Sequence, residues 1–159
     1  MTIKVKAFID EDFVNYKKAS MFIGFPSCSW KCEKECGKRV CQNGTLATSK
    51  DIEVGVKSIV NRYINNNITS AIVCGGLEPF DSWDELFLII TYLRVRTQDD
   101  IVIYTGYYKE EIQDYIDKLT YFSNIIVKFG RYIPGHEKHY DDVLGVYLAS
   151  DNQYAEKIS

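Results

Sequence analysis

Residues 70–85 read Ser70-Ala71-Ile72-Val73-Cys74-Gly75-Gly76-Leu77-Glu78-Pro79-Phe80-Asp81-Ser82-Trp83-Asp84-Glu85. Ser70 to Cys74 is a short, nearly continuous apolar run, the pattern of a strand covered on both faces of a sheet. A glycine pair then turns the chain. Ser82-Trp83-Asp84-Glu85 fits a capping box, in which serine and glutamate side chains satisfy orphan amides at a helix start. Trp83, Leu86, Phe87, Ile90 and Leu93 carry on as the apolar stripe of that helix. The stretch is one strand–loop–helix unit, and the pattern recurs on either side of it.

Upstream, Lys4 to Ile9 reads as a first strand or extended arm. Ser20 to Phe25 is a strand stopped by Pro26, which has no amide for a sheet ladder. A helix is expected over 52–66, with Val56, Ile59, Val60, Tyr63 and Ile64 on one face, Asp51 as its N-cap and Asn65-Asn66-Asn67 at its end. Downstream, Ile101 to Tyr104 is a strand. Ile112, Tyr115, Ile116 and Leu119 mark a third helix, and Asn124–Phe129 and Val143–Leu148 are further strands. Strands alternating with helices imply an α/β fold of βα units with a mostly parallel sheet, in one domain over 1–159. Right-handed crossovers bring the loops at 28–41, 75–80, 105–107 and 130–131 to one edge, where ligands bind such sheets.

Composition narrows the partners. The 159 residues are 46% hydrophobic and 26% charged, with a net charge of −3. These values suit an ordinary globule and supply no general basic field for nucleic acid or an anionic membrane. The opening Met1-Thr2-Ile3-Lys4-Val5-Lys6 lacks the apolar core of a signal peptide. No apolar run approaches the roughly 20 residues of a membrane span. A cytoplasmic location is the expectation, and there disulfides are rare and clustered cysteines bind metal or do redox chemistry.

Four of the five cysteines lie within residues 28–41, in a loop over 26–43 that reads Pro26-Ser27-Cys28-Ser29-Trp30-Lys31-Cys32-Glu33-Lys34-Glu35-Cys36-Gly37-Lys38-Arg39-Val40-Cys41-Gln42-Asn43. The spacing is C-x3-C-x3-C-x4-C. Structural zinc usually takes two closer pairs. Inert buried thiols do not suit a loop with this many charges. The spacing points to a metal or iron–sulfur site.

Cys28-x3-Cys32 at a strand end, followed by a further cysteine, resembles the cluster loop of radical S-adenosylmethionine enzymes. In that superfamily three cysteines hold a [4Fe-4S] cluster and leave one iron open for S-adenosylmethionine. The usual third position falls here on Glu35, and the nearest cysteine, Cys36, comes one residue late. Cys41 is followed by Gln42-Asn43, similar to the Cys-x-Asn of activating enzymes of anaerobic ribonucleotide reductase. The resemblance therefore implies Cys28, Cys32 and Cys41 as ligands, with Cys36 as the alternative third.

Further motifs follow in the same order along most of residues 21–158. Gly75-Gly76-Leu77-Glu78-Pro79 resembles the Gly-Gly-Glu-Pro loop that meets the amino group of S-adenosylmethionine, with Leu77 inserted. Tyr104-Thr105-Gly106-Tyr107 is similar to the strand-end Tyr-Thr-Gly-Tyr of the same activases, and Gly145-Val146-Tyr147-Leu148-Ala149-Ser150-Asp151-Asn152-Gln153 resembles their C-terminal Gly-Ser-x-Asn-Gln segment. The resemblance implies a partial, half TIM-like barrel. It also implies that Gly75, Gly76 and Glu78 hold the methionine end and that Thr105 and Gly106 approach the ribose or adenine. The implied activity is generation of a 5′-deoxyadenosyl radical that activates a glycyl-radical partner enzyme, with flavodoxin or ferredoxin as reductant. Two other readings stand beside it. One is a non-catalytic iron–sulfur or zinc module using all four clustered cysteines. The other is a radical enzyme acting on a small molecule or peptide.

The remaining candidates carry less. His136-x2-His139 has metal-like spacing but only two ligands, so a solvated or partner-facing loop is expected. Cys74 reads as a core residue. Tyr104, Tyr107 and Tyr108 are expected at the edge of the cofactor pocket.

Overall fold

The computed structural model describes residues 1–37 and 44–159, with the side chains of Lys31 and Cys32 also outside the description. The elements in chain order are β1 Thr2–Val5, β2 Ala7–Asp12, β3 Ser20–Phe25, α1 Lys31–Cys36, α2 Gly44–Thr48, β4 Ile52–Gly55, α3 Val56–Ile64 and β5 Ala71–Gly76. They continue with α4 Trp83–Arg96, β6 Asp100–Tyr104, α5 Gln113–Leu119, β7 Ile125–Phe129, β8 His139–Asp141, β9 Val146–Leu148 and β10 Tyr154–Lys157. Single 3₁₀ turns, Pro79–Ser82 and Lys109–Ile112, lead into α4 and α5.

The central sheet has the order β10-β7-β6-β5-β3-β2. Its four inner strands, β3, β5, β6 and β7, run parallel, and β2 and β10 close the two edges antiparallel. The fold is thus α/β with a mostly parallel sheet. The sheet stays open, and no closed barrel forms among the described residues.

Side-chain alternation separates the two faces of the inner strands. Ile72, Cys74, Ile101, Ile103, Ile125 and Val127 join Ile59, Leu86, Ile90, Leu93, Ile116 and Leu119 of α3, α4 and α5 in the larger core. Ala71, Val73, Val102 and Ile126 face the other way and are covered by Tyr16, Leu144 and Leu148 rather than by a helix. Burial of each large apolar side chain in the helical layer contributes about 1.5–3 kcal/mol before the entropy of ordering is set against it.

Several elements differ from the sequence expectation. The helix expected over 52–66 starts only at Val56, because Ile52–Gly55 is claimed by β1 as an antiparallel partner. Asp51 does not cap it; its carboxylate pairs with Lys6 Nζ at 3.0 Å, and Gly55 holds the N-cap position. Ser82 sits at the N-cap of α4 without a side-chain capping bond. The capping has moved one turn upstream, where Glu78 accepts from the Phe80 amide at 3.2 Å. Lys4 to Ile9 spans two strands that serve different sheets. Within 143–148 only Val146–Leu148 is strand, and it pairs with β8 in a hairpin apart from the central sheet. β10 was not expected from the sequence; its Tyr-Ala-Glu-Lys composition is that of a polar edge strand.

Candidate functional site

Beyond the carboxyl ends of the parallel strands, on the face without helices, lies a cavity of about 380 Å³. Its wall takes Cys28 from the loop after β3, Gly75 to Glu78 from the end of β5, Thr105 and Gly106 after β6, and Gly130 after β7. Val146, Tyr147 and Leu148 of β9 form the opposite side. The loops expected to converge do so where the residues are described. Tyr104 also lines the cavity, and its hydroxyl donates to the Asn15 carbonyl at 2.5 Å. Burial holds its phenol well above the usual tyrosine range.

Glu78 is the polar centre of this wall and is only 5% exposed. Thr105 Oγ1 donates to its Oε1 at 2.8 Å, and the Gly106 amide donates to its Oε2 at 2.9 Å. These bonds tie the end of β5 to the end of β6. Burial nevertheless dominates and pushes the carboxyl up to about 7, against the three donors from Gly106, Thr105 and Phe80 that favour the ionised form. The two glycines before it have separate reasons. At Gly76 φ is +90°, and a Cβ would stand 2.7 Å from Gly24 Cα and Phe25 N, so the sheet itself requires glycine there. At Gly75 a Cβ would come within 3.1 Å of the Phe22 ring, which lines the cavity floor.

The cysteine loop is fastened to that same wall. The Glu78 amide donates to the Ser27 carbonyl at 2.7 Å, beside Cys28. The Ser29 amide donates to Asp81 Oδ2 at 2.8 Å, and Tyr107 donates its hydroxyl to Asp81 Oδ1 at 2.5 Å. Trp30, at φ 59°, folds back so that its amide donates to Cys28 Sγ at 3.2 Å. Backbone amides directed at sulfur are a common means of tuning iron–sulfur sites. Cys36, half-buried at the end of α1, is 3.8 Å from the Glu33 carbonyl. Cys41 and the side chain of Cys32 lie outside the described residues. Among the described residues no three His, Cys, Asp or Glu side chains group closely enough to hold a metal ion. A donor set of soft thiolates on one short loop, with an amide already bonded to one of them, fits an iron–sulfur cluster.

Some of the site was not marked by sequence motifs. Lys128 occupies a cavity-facing position of β7, where its ammonium donates to the Thr105 carbonyl at 3.1 Å and the Gly130 carbonyl at 3.0 Å. The one sequence sign was a charge inside Ile-Ile-Val-Lys-Phe. Arg131, 6% exposed, pairs with Glu35 and Glu111. Ser150 to Gln153 braces the turn before it. The Asn152 side-chain amide donates to the Arg131 carbonyl at 2.7 Å, and the Gln153 side-chain amide to the Gly130 carbonyl at 3.2 Å. Tyr108 contributes a ring face to Arg131, 4.6 Å from its guanidinium carbon.

The remaining candidates are accounted for locally. His136 meets Asp151 at 2.6 Å and His139 meets the Gln153 carbonyl at 2.6 Å, so the two imidazoles serve different partners. Cys74 is fully buried in β5, where burial pushes its thiol up to about 12.

No helix among the described residues is long and apolar enough to cross a membrane. Comparison with curated proteins and with solved structures returns no match. The profile of one family, described as a 4Fe-4S single cluster domain, matches residues 17–153. That span begins just before β3 and ends within the Ser150–Gln153 brace, so it takes in the cysteine loop and every strand end around the cavity. With most of its length covered by this match, the chain belongs to the 4Fe-4S single cluster domain family.

Proposed function

We propose that this iron–sulfur protein is a radical S-adenosylmethionine enzyme of the activase type. The observation that carries the reading is that Cys28 and Glu78 line one cavity, with the Glu78 amide bonded to the residue next to Cys28. Cys28, Cys32 and a third cysteine, Cys41 or Cys36, would hold the cluster, which when bound would supply the one electron needed to split S-adenosylmethionine into methionine and a 5′-deoxyadenosyl radical.

The chain's own residues bind and orient. Glu78 receives the amino group: an arriving ammonium favours the carboxylate and offsets the burial that raises its affinity for a proton. Gly75 leaves room above Phe22 for the methionine end. Thr105 and Gly106, both bonded to Glu78, would approach the ribose or adenine. In this reading the open sheet is a half TIM-like barrel, and its open side admits a glycine-bearing loop of a large glycyl-radical enzyme such as anaerobic ribonucleotide reductase. The electron would come from flavodoxin or ferredoxin in an anaerobic cytoplasm.

The test is anaerobic reconstitution followed by dithionite and S-adenosylmethionine. The expected result is about four irons per chain and formation of 5′-deoxyadenosine. Stoichiometric zinc, or a full cluster that leaves S-adenosylmethionine intact, would overturn the reading in favour of a non-catalytic module.

A further inference from the structure

Arg131 lies two residues past the end of β7, yet its guanidinium reaches the cysteine helix. Nε donates to Glu35 Oε2 at 2.8 Å, and Nη1 donates to Glu111 Oε1 at 2.6 Å and to the Gly106 carbonyl at 3.2 Å. Its side chain is 7% exposed, whereas that of Glu35 is 57% exposed. The arginine therefore belongs to the body of the protein, and the glutamate comes to it. The arginine is also held in advance. Asn152 and Ser150 both donate to its carbonyl, and Tyr108 lies against its guanidinium face. A guanidinium fixed in this way offers a rigid fork that a lysine cannot reproduce.

Two features give the pair more than structural interest. Glu35 lies next to Cys36 in α1 and three residues beyond Cys32. Gly106 joins the two halves of the site, since its amide donates to Glu78 Oε2 and its carbonyl accepts from Arg131. A continuous bonded path thus runs from the carboxylate in the cavity wall, through Gly106 and Arg131, to the helix that carries cysteines.

We propose that Arg131 is a positioning residue that clamps the cysteine helix through Glu35 and couples its posture to the occupant of the Glu78 wall. The proposal rests on the iron–sulfur site and, for the coupling, on the functional reading above. A ligand that draws on Glu78 shifts Gly106, and the shift reaches α1 through the guanidinium.

Glu35→Ala is the direct probe. It takes away an exposed side chain and leaves Arg131 paired with Glu111, so melting and circular dichroism should match the parent. Iron loading should also match. A chelator should strip iron from the variant about tenfold faster, in the range usual for lost outer-shell partners. The electron paramagnetic resonance spectrum of the reduced cluster should respond less to added S-adenosylmethionine, and KM for it should rise about tenfold with a smaller change in kcat. Arg131→Lys should follow the same direction, and Glu35→Gln, which keeps an acceptor, should fall between. If the parent protein cleaves no S-adenosylmethionine, the functional reading falls while the chelator rates still decide the clamp. Parent-like chelator rates and spectra in both Glu35→Ala and Arg131→Lys would overturn the proposal.

Discussion

Alternate residues of β7 enter two different environments. Ile125, Val127 and Phe129 join the helix-covered core, while Ile126 and Lys128 turn to the opposite face. β6 divides in the same way, with Ile101 and Ile103 in the core and Val102 and Tyr104 across from them. The helical face is apolar along its whole length. The other face begins apolar at Ala71, Val102 and Ile126, and becomes polar as the strands reach Glu78, Thr105 and Lys128. Stability is concentrated on one face and at one end, so the other end is free to hold buried charge around a cavity.

The sharpest way to break this division is to remove a thiol from the cavity side. Cys28→Ser should reduce iron from about four per chain to almost none, measured by chemical iron assay, while far-ultraviolet circular dichroism stays unchanged. Next in size is the reverse experiment on the helical side. Leu93→Ala in α4 should cost about 2–5 kcal/mol in urea unfolding, with iron loading intact in whatever remains folded.

Glu78 gives a third probe, of about 3 kcal/mol by its shift from the ordinary carboxylate range to about 7. Its folded value is raised, so the stability it contributes is full below the ordinary range and is lost as pH rises through about 7. Urea titrations of the iron-free chain should show this decline, and Glu78→Gln should flatten it. A ligand carrying an ammonium should behave oppositely, binding more tightly as pH rises through the same window. The smallest effect belongs to the cavity rim. Tyr147 is 72% exposed, and Tyr147→Ser should change stability by less than about 0.5 kcal/mol, leaving ligand affinity as the property to measure.

Much of the division is legible in the sequence. Runs such as Ala71–Cys74 and Ile101–Tyr104 are apolar at every position, which marks strands enclosed on both faces. The cysteine spacing and the glycine pair marked two walls of the cavity. Local signals failed where distant partners intervened. Ile52 to Gly55 continues a helical pattern but meets β1, whose Ile3 and Val5 are buried. Ser82 carries a capping signature, yet the 3₁₀ turn started by Glu78 takes over that part of the chain. Arg131 was legible only as a residue after a strand. Its partner Glu35 is 96 positions away, and no local pattern encodes such a pair. β10 leaves little trace in the sequence because an edge strand needs only one apolar position, here Ala155.

The proposed function requires a cluster that faces the cavity with one iron open to a ligand. Mössbauer spectra of protein reconstituted with isotopically enriched iron, with and without S-adenosylmethionine, test it most directly. The account expects one iron of the cluster to change its signal on addition, with the others unaltered. A cluster whose irons are all thiolate-ligated and indifferent to S-adenosylmethionine would contradict it.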